Sequence, residues 1–206
     1  MFIFKWKCIS KYICSPFILF LFLFFTAISG MYAQTEIAPF SELNAGINLE
    51  IKKNKNISDN YWSPKKGADV YVETPFYFGY ISAGFTYLPF SSKDTSRPDY
   101  TARLLYLGWG NKLLLPLNTA FYFGIKLGNY SMSFNDDTVN VNLQTESEFA
   151  AGITTALCFE PIHRVNINFR ADFFNVFTRI RMRQILLGAG ISYNFNSPDW
   201  FKEIFN

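Results

Sequence analysis

Residues 165–174, VNINFRADFF, set Val165, Ile167, Phe169, Ala171 and Phe173 on alternate positions, with Asn166, Asn168, Arg170, Asp172 and Phe174 between them. A period of two is the mark of an extended strand with one apolar and one mostly polar face. Which face meets the water separates two kinds of fold. A soluble sandwich turns its polar face outward, whereas a membrane barrel turns it inward.

The same period, read together with its breakers, gives eight strands over about 42–52, 67–74, 78–88, 100–112, 119–132, 147–159, 164–177 and 183–195. The first is the cleanest: Leu43, Ala45, Ile47, Leu49 and Ile51 alternate with Glu42, Asn44, Gly46, Asn48, Glu50 and Lys52. The fourth is blurred by Leu104, Leu105, Tyr106 and Leu107, and a bulge is expected there. Proline cannot donate to a ladder, and residues 39, 64, 75, 89, 98, 116, 161 and 198 all fall between or at the ends of these strands. The connections then sort by length. KNKNISDNYWSPKK, PFSSKDTSRPD and SFNDDTVNVNLQTE are long and polar, the turns near Pro75, Pro116 and Pro161 are short, and TRIRM is intermediate. Single-chain outer-membrane barrels have short turns at one end and longer loops at the other, and a soluble sandwich has no reason to sort its loops in this way.

Residues 1–33 read as a cleavable signal peptide. Lys5, Lys7 and Lys11 form a positive start, no acidic residue precedes Glu36, and PFILFLFLFFTAIS (16–29) has the length of a signal's apolar segment. Small residues at Ser29, Gly30 and Ala33 put the expected cleavage after Ala33. Neither Cys8 nor Cys14 follows a lipobox-like sequence. Without those three lysines the 19 basic residues become 16, equal to the 16 acidic ones, and nothing in the overall charge points to nucleic acid. Cys158 is then the remaining cysteine, so no intrachain disulfide is expected. The expected organisation is a signal peptide (1–33), one barrel domain (34–196) and a short periplasmic extension (197–206).

Assigned as a barrel, the outward set includes Val70, Val72, Ile81, Ala83, Phe85, Phe121, Phe123, Ile125, Leu127, Phe149, Ala151, Ile153, Leu157, Phe159, Leu187, Ala189, Ile191, Tyr193 and Phe195, with no charge among them. The inward set holds Glu42, Glu50, Asp69, Glu73, Lys126, Glu148, Arg170 and Asp172, filled out by Gly84, Gly124, Gly128, Gly152, Gly188 and Gly190. Mixed charges among many glycines suit a crowded lumen in which charges pair. Phe149 and Phe159 share one face of one strand. At roughly 3.3 Å per residue and a tilt near 40° they are about 25 Å apart in height, the depth of a lipid-facing band. Tyr87, Phe90, Tyr100, Tyr130 and Phe134 are expected to form an aromatic belt at the long-loop end. Phe76, Phe78, Phe121, Phe159, Tyr193 and Phe195 are expected to form a second belt at the short-turn end.

The closing strand LLGAGISYNF (186–195), with Ile191, Tyr193 and Phe195 alternating up to an aromatic, resembles the assembly signal of bacterial outer-membrane proteins. Over about residues 40–195 the chain is similar in architecture to the small eight-stranded OmpA/OmpX-like barrels, particularly the aromatic-rich versions of Bacteroidetes-type bacteria. The resemblance implies an all-β, eight-stranded antiparallel up-and-down transmembrane β-barrel in the bacterial outer membrane, with the assembly machinery as a partner during biogenesis. It departs in one respect, because residues follow Phe195 where that signal usually ends the chain. SPDWFKEIFN (197–206) is either disordered or a short amphipathic helix, with Ser197 as cap, Pro198 at the first position and Trp200, Phe201, Ile204 and Phe205 on one face.

Some barrels of this size are enzymes that modify lipid A, using a histidine with serine or aspartate near the outer headgroups. The single histidine here, His163, falls in a short turn at the opposite end. GYISAG (79–84) is one residue off a nucleophile elbow and has no helix after it, and GAGISY lacks the third glycine of a dinucleotide loop. Cys158 has no second cysteine for a metal, and the Asp136, Asp137 pair reads as a solvated loop. Catalysis, cofactors and metals are therefore not expected.

Two charged groupings remain. Arg103, Lys126 and Arg170 are expected to pair in the lumen with carboxylates among Glu50, Glu73, Glu148 and Asp172. Lys52, Lys53, Lys55, Lys65 and Lys66 bracket the first long loop, and Arg179, Arg181 and Arg183 flank the last connection. At the outer rim these cations suit lipopolysaccharide phosphates. The preferred function is a monomeric, non-catalytic barrel with a filled lumen that supports the envelope or presents loops to a partner. A narrow passage for a small or apolar solute and a soluble lipocalin-like carrier are the alternatives.

Overall fold

The alternating segments find one another as an antiparallel meander. The computed structural model describes residues 38–206 apart from 55–56, 95–96, 136–144, 179–181 and 199–206. The expected signal peptide, the Asp136, Asp137 pair and the four apolar residues of the C-terminal extension lie outside the described residues. The strands are β1 (Glu42–Lys52), β2 (Trp62–Pro64), β3 (Gly67–Phe76), β4 (Gly79–Ser92), β5 (Tyr100–Leu115), β6 (Thr119–Phe134), β7 (Thr145–Ile162), β8 (Val165–Val176) and β9 (Met182–Asn196), with a 3-10 turn at Ile57–Asn60.

Eight of these strands close a barrel. β1 pairs with β3, the chain then runs strand to neighbouring strand through β9, and β9 returns to β1 from Leu186↔Lys52 to Asn196↔Glu42. Closure removes the unpaired edges that an open sheet would expose. The ninth strand, β2, pairs only with β4, from Trp62↔Ser92 to Pro64↔Phe90. It continues the position of β3 above a break at Lys65 and Lys66, and the Lys65 N–H donates to the Pro89 carbonyl across that break (2.9 Å). The sequence had placed this segment in a loop.

Burial answers the question of faces. On β8, Asn166, Asn168, Arg170, Asp172, Phe174 and Val176 are buried, while Phe169 on the opposite set is exposed. Ile47, Leu49, Val70, Val72, Leu105, Leu107, Ile125, Leu127, Ile153 and Ile191 are likewise exposed on the outside of the barrel. The apolar face points out and the polar face points in. A soluble carrier needs the reverse, so that alternative fails.

Two expectations need correction. No bulge interrupts β5, whose register with β4 and β6 is continuous; the irregularity lies instead between Phe159 and Ile162 on β7, where Pro161 has no N–H to give. The outer aromatic belt is also not made of the expected residues, since beside Tyr87 the rings exposed toward the long-loop end are Phe149 and Phe177, 5.7 Å apart. Phe90, Tyr100 and Tyr130 are buried inside the barrel, Phe134 packs against them, and of that group only Tyr87 is exposed on the outside. Their even-numbered strand positions turn them into the lumen, where they form a plug.

The lumen therefore has two zones. In its outer half Leu88, Phe90, Tyr100, Ala102, Leu104, Tyr130, Met132, Phe174, Val176 and Leu186 make an apolar core. Trp62 of β2 packs on top of it, 5.4 Å from the Tyr100 ring, with its indole N–H donating to the Pro98 carbonyl (2.9 Å). Below lies a polar zone of paired charges, tyrosines, asparagines and glycines.

Candidate functional site

Each lumen charge owes its position to strand parity, and each cation owes its partner to register. Asp69 on β3 faces Asn48 on β1 and Thr86 on β4. It accepts from Arg170 Nη1 (2.7 Å), Thr86 Oγ1 (2.8 Å), the Tyr106 hydroxyl (3.1 Å) and Asn48 Nδ2 (3.3 Å). Four donors converge on one carboxylate that is 1% exposed. The Arg170 guanidinium also lies over the Tyr71 ring, 4.1 Å from its centroid. A second pair stands beside the first: Lys126 Nζ donates to Asp172 Oδ2 (2.7 Å) and sits 4.2 Å from the Tyr106 centroid. Nearer the short-turn end Lys112 pairs with Glu73 and lies 4.2 Å from the Tyr80 centroid.

Glycines make room for these rings. A Cβ on Gly46 would stand 2.6 Å from the Tyr71 ring, and one on Gly84 would collide with the Tyr106 hydroxyl. Strand positions that carry glycine across from a tyrosine let the ring lie flat against the wall beside a cation. An inward side chain at either position would displace the ring from the ion pair it shields.

The expected charge set is thus rearranged. Lys126, Arg170, Asp172, Glu73 and Glu50 are in the lumen, Asp69 of the inward set proves to be the partner of Arg170, and the structure adds Lys112. Arg103 is not there. It is exposed and shares the outward face of β5 with Leu105, Leu107 and Trp109. Its parity is that of the lipid-facing residues, so it cannot reach an inward carboxylate. Glu148 is half-buried near the long-loop end and has no ion pair among the described residues. Glu50 is buried with neither carboxylate oxygen hydrogen-bonded among the described residues, against Gly188.

At the outer rim the first loop is folded onto the second. Lys52 points inward to pair with Asp59, Lys93 donates to the Asp59 carbonyl, and the Arg97 guanidinium lies 3.7 Å from the Tyr61 centroid. Of the expected phosphate-facing cations, Lys53, Lys65, Lys66 and Arg183 are exposed, whereas Lys55, Arg179 and Arg181 lie outside the described residues. Lys53 and Lys66 continue the outward alternation of β1 and β3, and Arg183 and Arg103 stand on outward positions of β9 and β5.

His163 is in the β7–β8 turn, its Nδ1 3.7 Å from Glu160 Oε1. Ser82 of GYISAG faces the lumen on β4, and Cys158 is a half-buried free thiol on β7. No cluster of three or more metal-binding side chains occurs among the described residues.

No family model and no curated protein matches the chain. Solved structures do. Neisserial surface protein A superposes with a TM-score of 0.57 at 10% identity, over 75% of this chain and 96% of that one. OprH of Pseudomonas aeruginosa, solved in micelles, superposes with a TM-score of 0.51 at 15% identity, over 75% of this chain and 99% of the other. Ail of Yersinia pestis matches over 75% of this chain and 95% of its own at 11% identity, with a TM-score of 0.46. Identities this low speak to fold alone. With its apolar exterior, its closed eight-strand ring and its short turns at the end that holds both strand termini, the chain has the fold of the small eight-stranded outer-membrane β-barrels.

Proposed function

We propose that the chain is a monomeric, non-catalytic β-barrel of the bacterial outer membrane, exported through residues 1–33, whose filled lumen serves stability rather than transport. The observation that carries this reading is the apolar plug of the outer half, roofed by Trp62. An eight-stranded barrel has an interior just wide enough for side chains, and here aromatic rings and paired charges occupy it. Water and ions crossing such an interior would have to displace the buried rings of Phe90, Tyr100 and Tyr130 and the Trp62 roof above them.

The protein reconstituted in planar bilayers is expected to give no sustained conductance at low voltage. A stable conductance from the wild type would overturn the filled-lumen reading in favour of the narrow passage. The carriers of an envelope role are the outward cations Lys53, Lys66, Arg103 and Arg183, with Lys65 beside them. Their partner is the phosphate of lipopolysaccharide, held by charge-assisted hydrogen bonds. Replacing all four by glutamine is expected to weaken lipopolysaccharide binding by about tenfold or more and to flatten its salt dependence. Unchanged affinity would remove the phosphate role and leave presentation of the loops as the function.

A further inference from the structure

The short turns carry a feature that their end of the barrel does not require. Two of the three are tipped by large apolar residues that protrude from the protein, Tyr77 and Phe78 between β3 and β4 and Leu117 between β5 and β6; at the third, whose tip is His163 and Arg164, Ile162 protrudes at the end of β7. Their exposures are 64%, 89%, 86% and 69%. Two of them also sit in left-handed backbone, Tyr77 with φ 43° and Leu117 with φ 62°. A water-facing hairpin turn at such positions favours glycine, asparagine or aspartate, because a side chain there crowds the following carbonyl. Tyrosine and leucine are poor choices on both counts. They strain the backbone, and they leave an apolar side chain outside the fold.

The barrel's length supplies the missing partner. On β5 the outward face is apolar or uncharged from Leu105 through Leu115, with Arg103 as its last charge on the long-loop side. At roughly 3.3 Å per residue and a tilt near 40°, ten residues climb about 25 Å, the height of a lipid-facing band. With Arg103 at the outer headgroups, the band starts at Leu105 and ends near Leu115, next to the Leu117 turn. On β4 and its turn, the same climb from Tyr87 ends at Tyr77. The exposed tips are continuous with the lipid-facing surface through Leu115, Phe159 and Phe195.

We infer that the β3–β4 and β5–β6 turns of this barrel are buried in the inner-leaflet headgroup and upper acyl region, with Phe78 and Leu117 as apolar anchors inserted into lipid rather than projecting into the periplasm. The inference rests on membrane residence as proposed above. The strained turn residues are retained because lipid, and none of the described residues, covers their side chains. Aromatic and aliphatic anchors of this kind fix how deep a barrel rides in its bilayer.

Nitroxide labels at 78 and 117, on a chain whose three cysteines are serine, test the insertion in phospholipid bilayers. Collisions with oxygen, which concentrates in lipid, are compared with collisions with a water-soluble nickel chelate. Labels at 153 on the lipid face and at 60 in the first long loop serve as references. The oxygen-to-nickel ratio at 78 and 117 is expected to exceed that at 60 several-fold. A ratio equal to that at 60 overturns the inference, as does protection from both reagents, which would mean that a second copy covers the turns. Should 153 itself read as water, the membrane reading fails instead. Leu117→Gly gives an independent readout. It relieves the backbone, so a water-facing turn would be stabilised by it. Insertion into lipid predicts the opposite, a lower urea midpoint for unfolding from bilayers.

Discussion

Asp69→Ala is expected to cost about 3–5 kcal/mol of folding stability in bilayers, the scale at which breaking a buried ion pair leaves one charge stranded. The reason is the convergence on this one carboxylate. Arg170, Thr86, Tyr106 and Asn48 all donate to Asp69, and Arg170 is itself only 7% exposed. Removing the acceptor strands a guanidinium between the Tyr71 ring and the barrel wall, with no water in bulk to receive it. Removing both charges is a different experiment. Asp69→Leu combined with Arg170→Met replaces a desolvated pair by apolar groups in a crowded interior, and such replacements are often close to neutral. The double variant is therefore expected to recover most of the loss, measured by urea unfolding from lipid vesicles with gel mobility as the readout. Arg103→Gln makes the control, with an expected change within about 0.5 kcal/mol because its side chain is outside and exposed. A silent Asp69→Ala beside a costly Arg103→Gln would reverse the inward and outward assignments.

That control exists because Arg103 is the residue the sequence misled on, and the cause can be traced. In most strands one face is apolar and the other polar, so parity is legible. The outer half of this lumen is apolar as well, and there both faces of a strand look alike. The run Leu104, Leu105, Tyr106, Leu107 lies where lipid is on one side and the plug on the other. What reads as lost alternation is an apolar surrounding on both faces, not a bulge. A better signal was present on the same strand. Inward positions elsewhere are marked by glycine, as at Gly84, Gly124, Gly152 and Gly188. Gly108 and Gly110 share the parity of Tyr106, which makes even positions inward and Arg103 outward. The same reasoning would have moved Phe90, Tyr100 and Tyr130 from the expected belt into the plug.

The role of the first loop was not legible, for a different reason. Nothing local in KNKNISDNYWSPKK indicates a strand, because β2 is three residues long and exists through its pairing with β4. Trp62 becomes a roof only once Tyr100, Phe134 and the Pro98 carbonyl, all distant in sequence, are brought beneath it. Lys52 shows the same limit: the period puts it on the polar face of β1, but only the folded first loop brings Asp59 beside it. The strands and their faces follow from a short-range period. The partners of individual charges follow from register across the barrel, which depends on every hairpin at once.

Depth in the membrane is the remaining term that the period alone does not set, and β7 allows it to be measured on one strand. Ile153 is 56% exposed and flanked across the ladders by Ile125 and Phe173, while the next residue, Thr154, is 1% exposed in the lumen. Ser147 shares the outward face of Ile153 six residues nearer the long loops, about 15 Å higher at roughly 3.3 Å per residue and a tilt near 40°. An arginine facing lipid at the midplane costs about 2–4 kcal/mol, and one at the headgroups about 0–1. Ile153→Arg is accordingly expected to lose several kcal/mol of bilayer folding free energy, and Ser147→Arg to lose almost none. Replacing an exposed residue of a water-soluble protein by arginine would cost little at either position, and burial in a soluble core would not grade with height along the strand. Equal costs at 147 and 153 would therefore falsify the lipid-facing assignment. A gradient that falls toward Ser147 would fix where on β7 the bilayer ends.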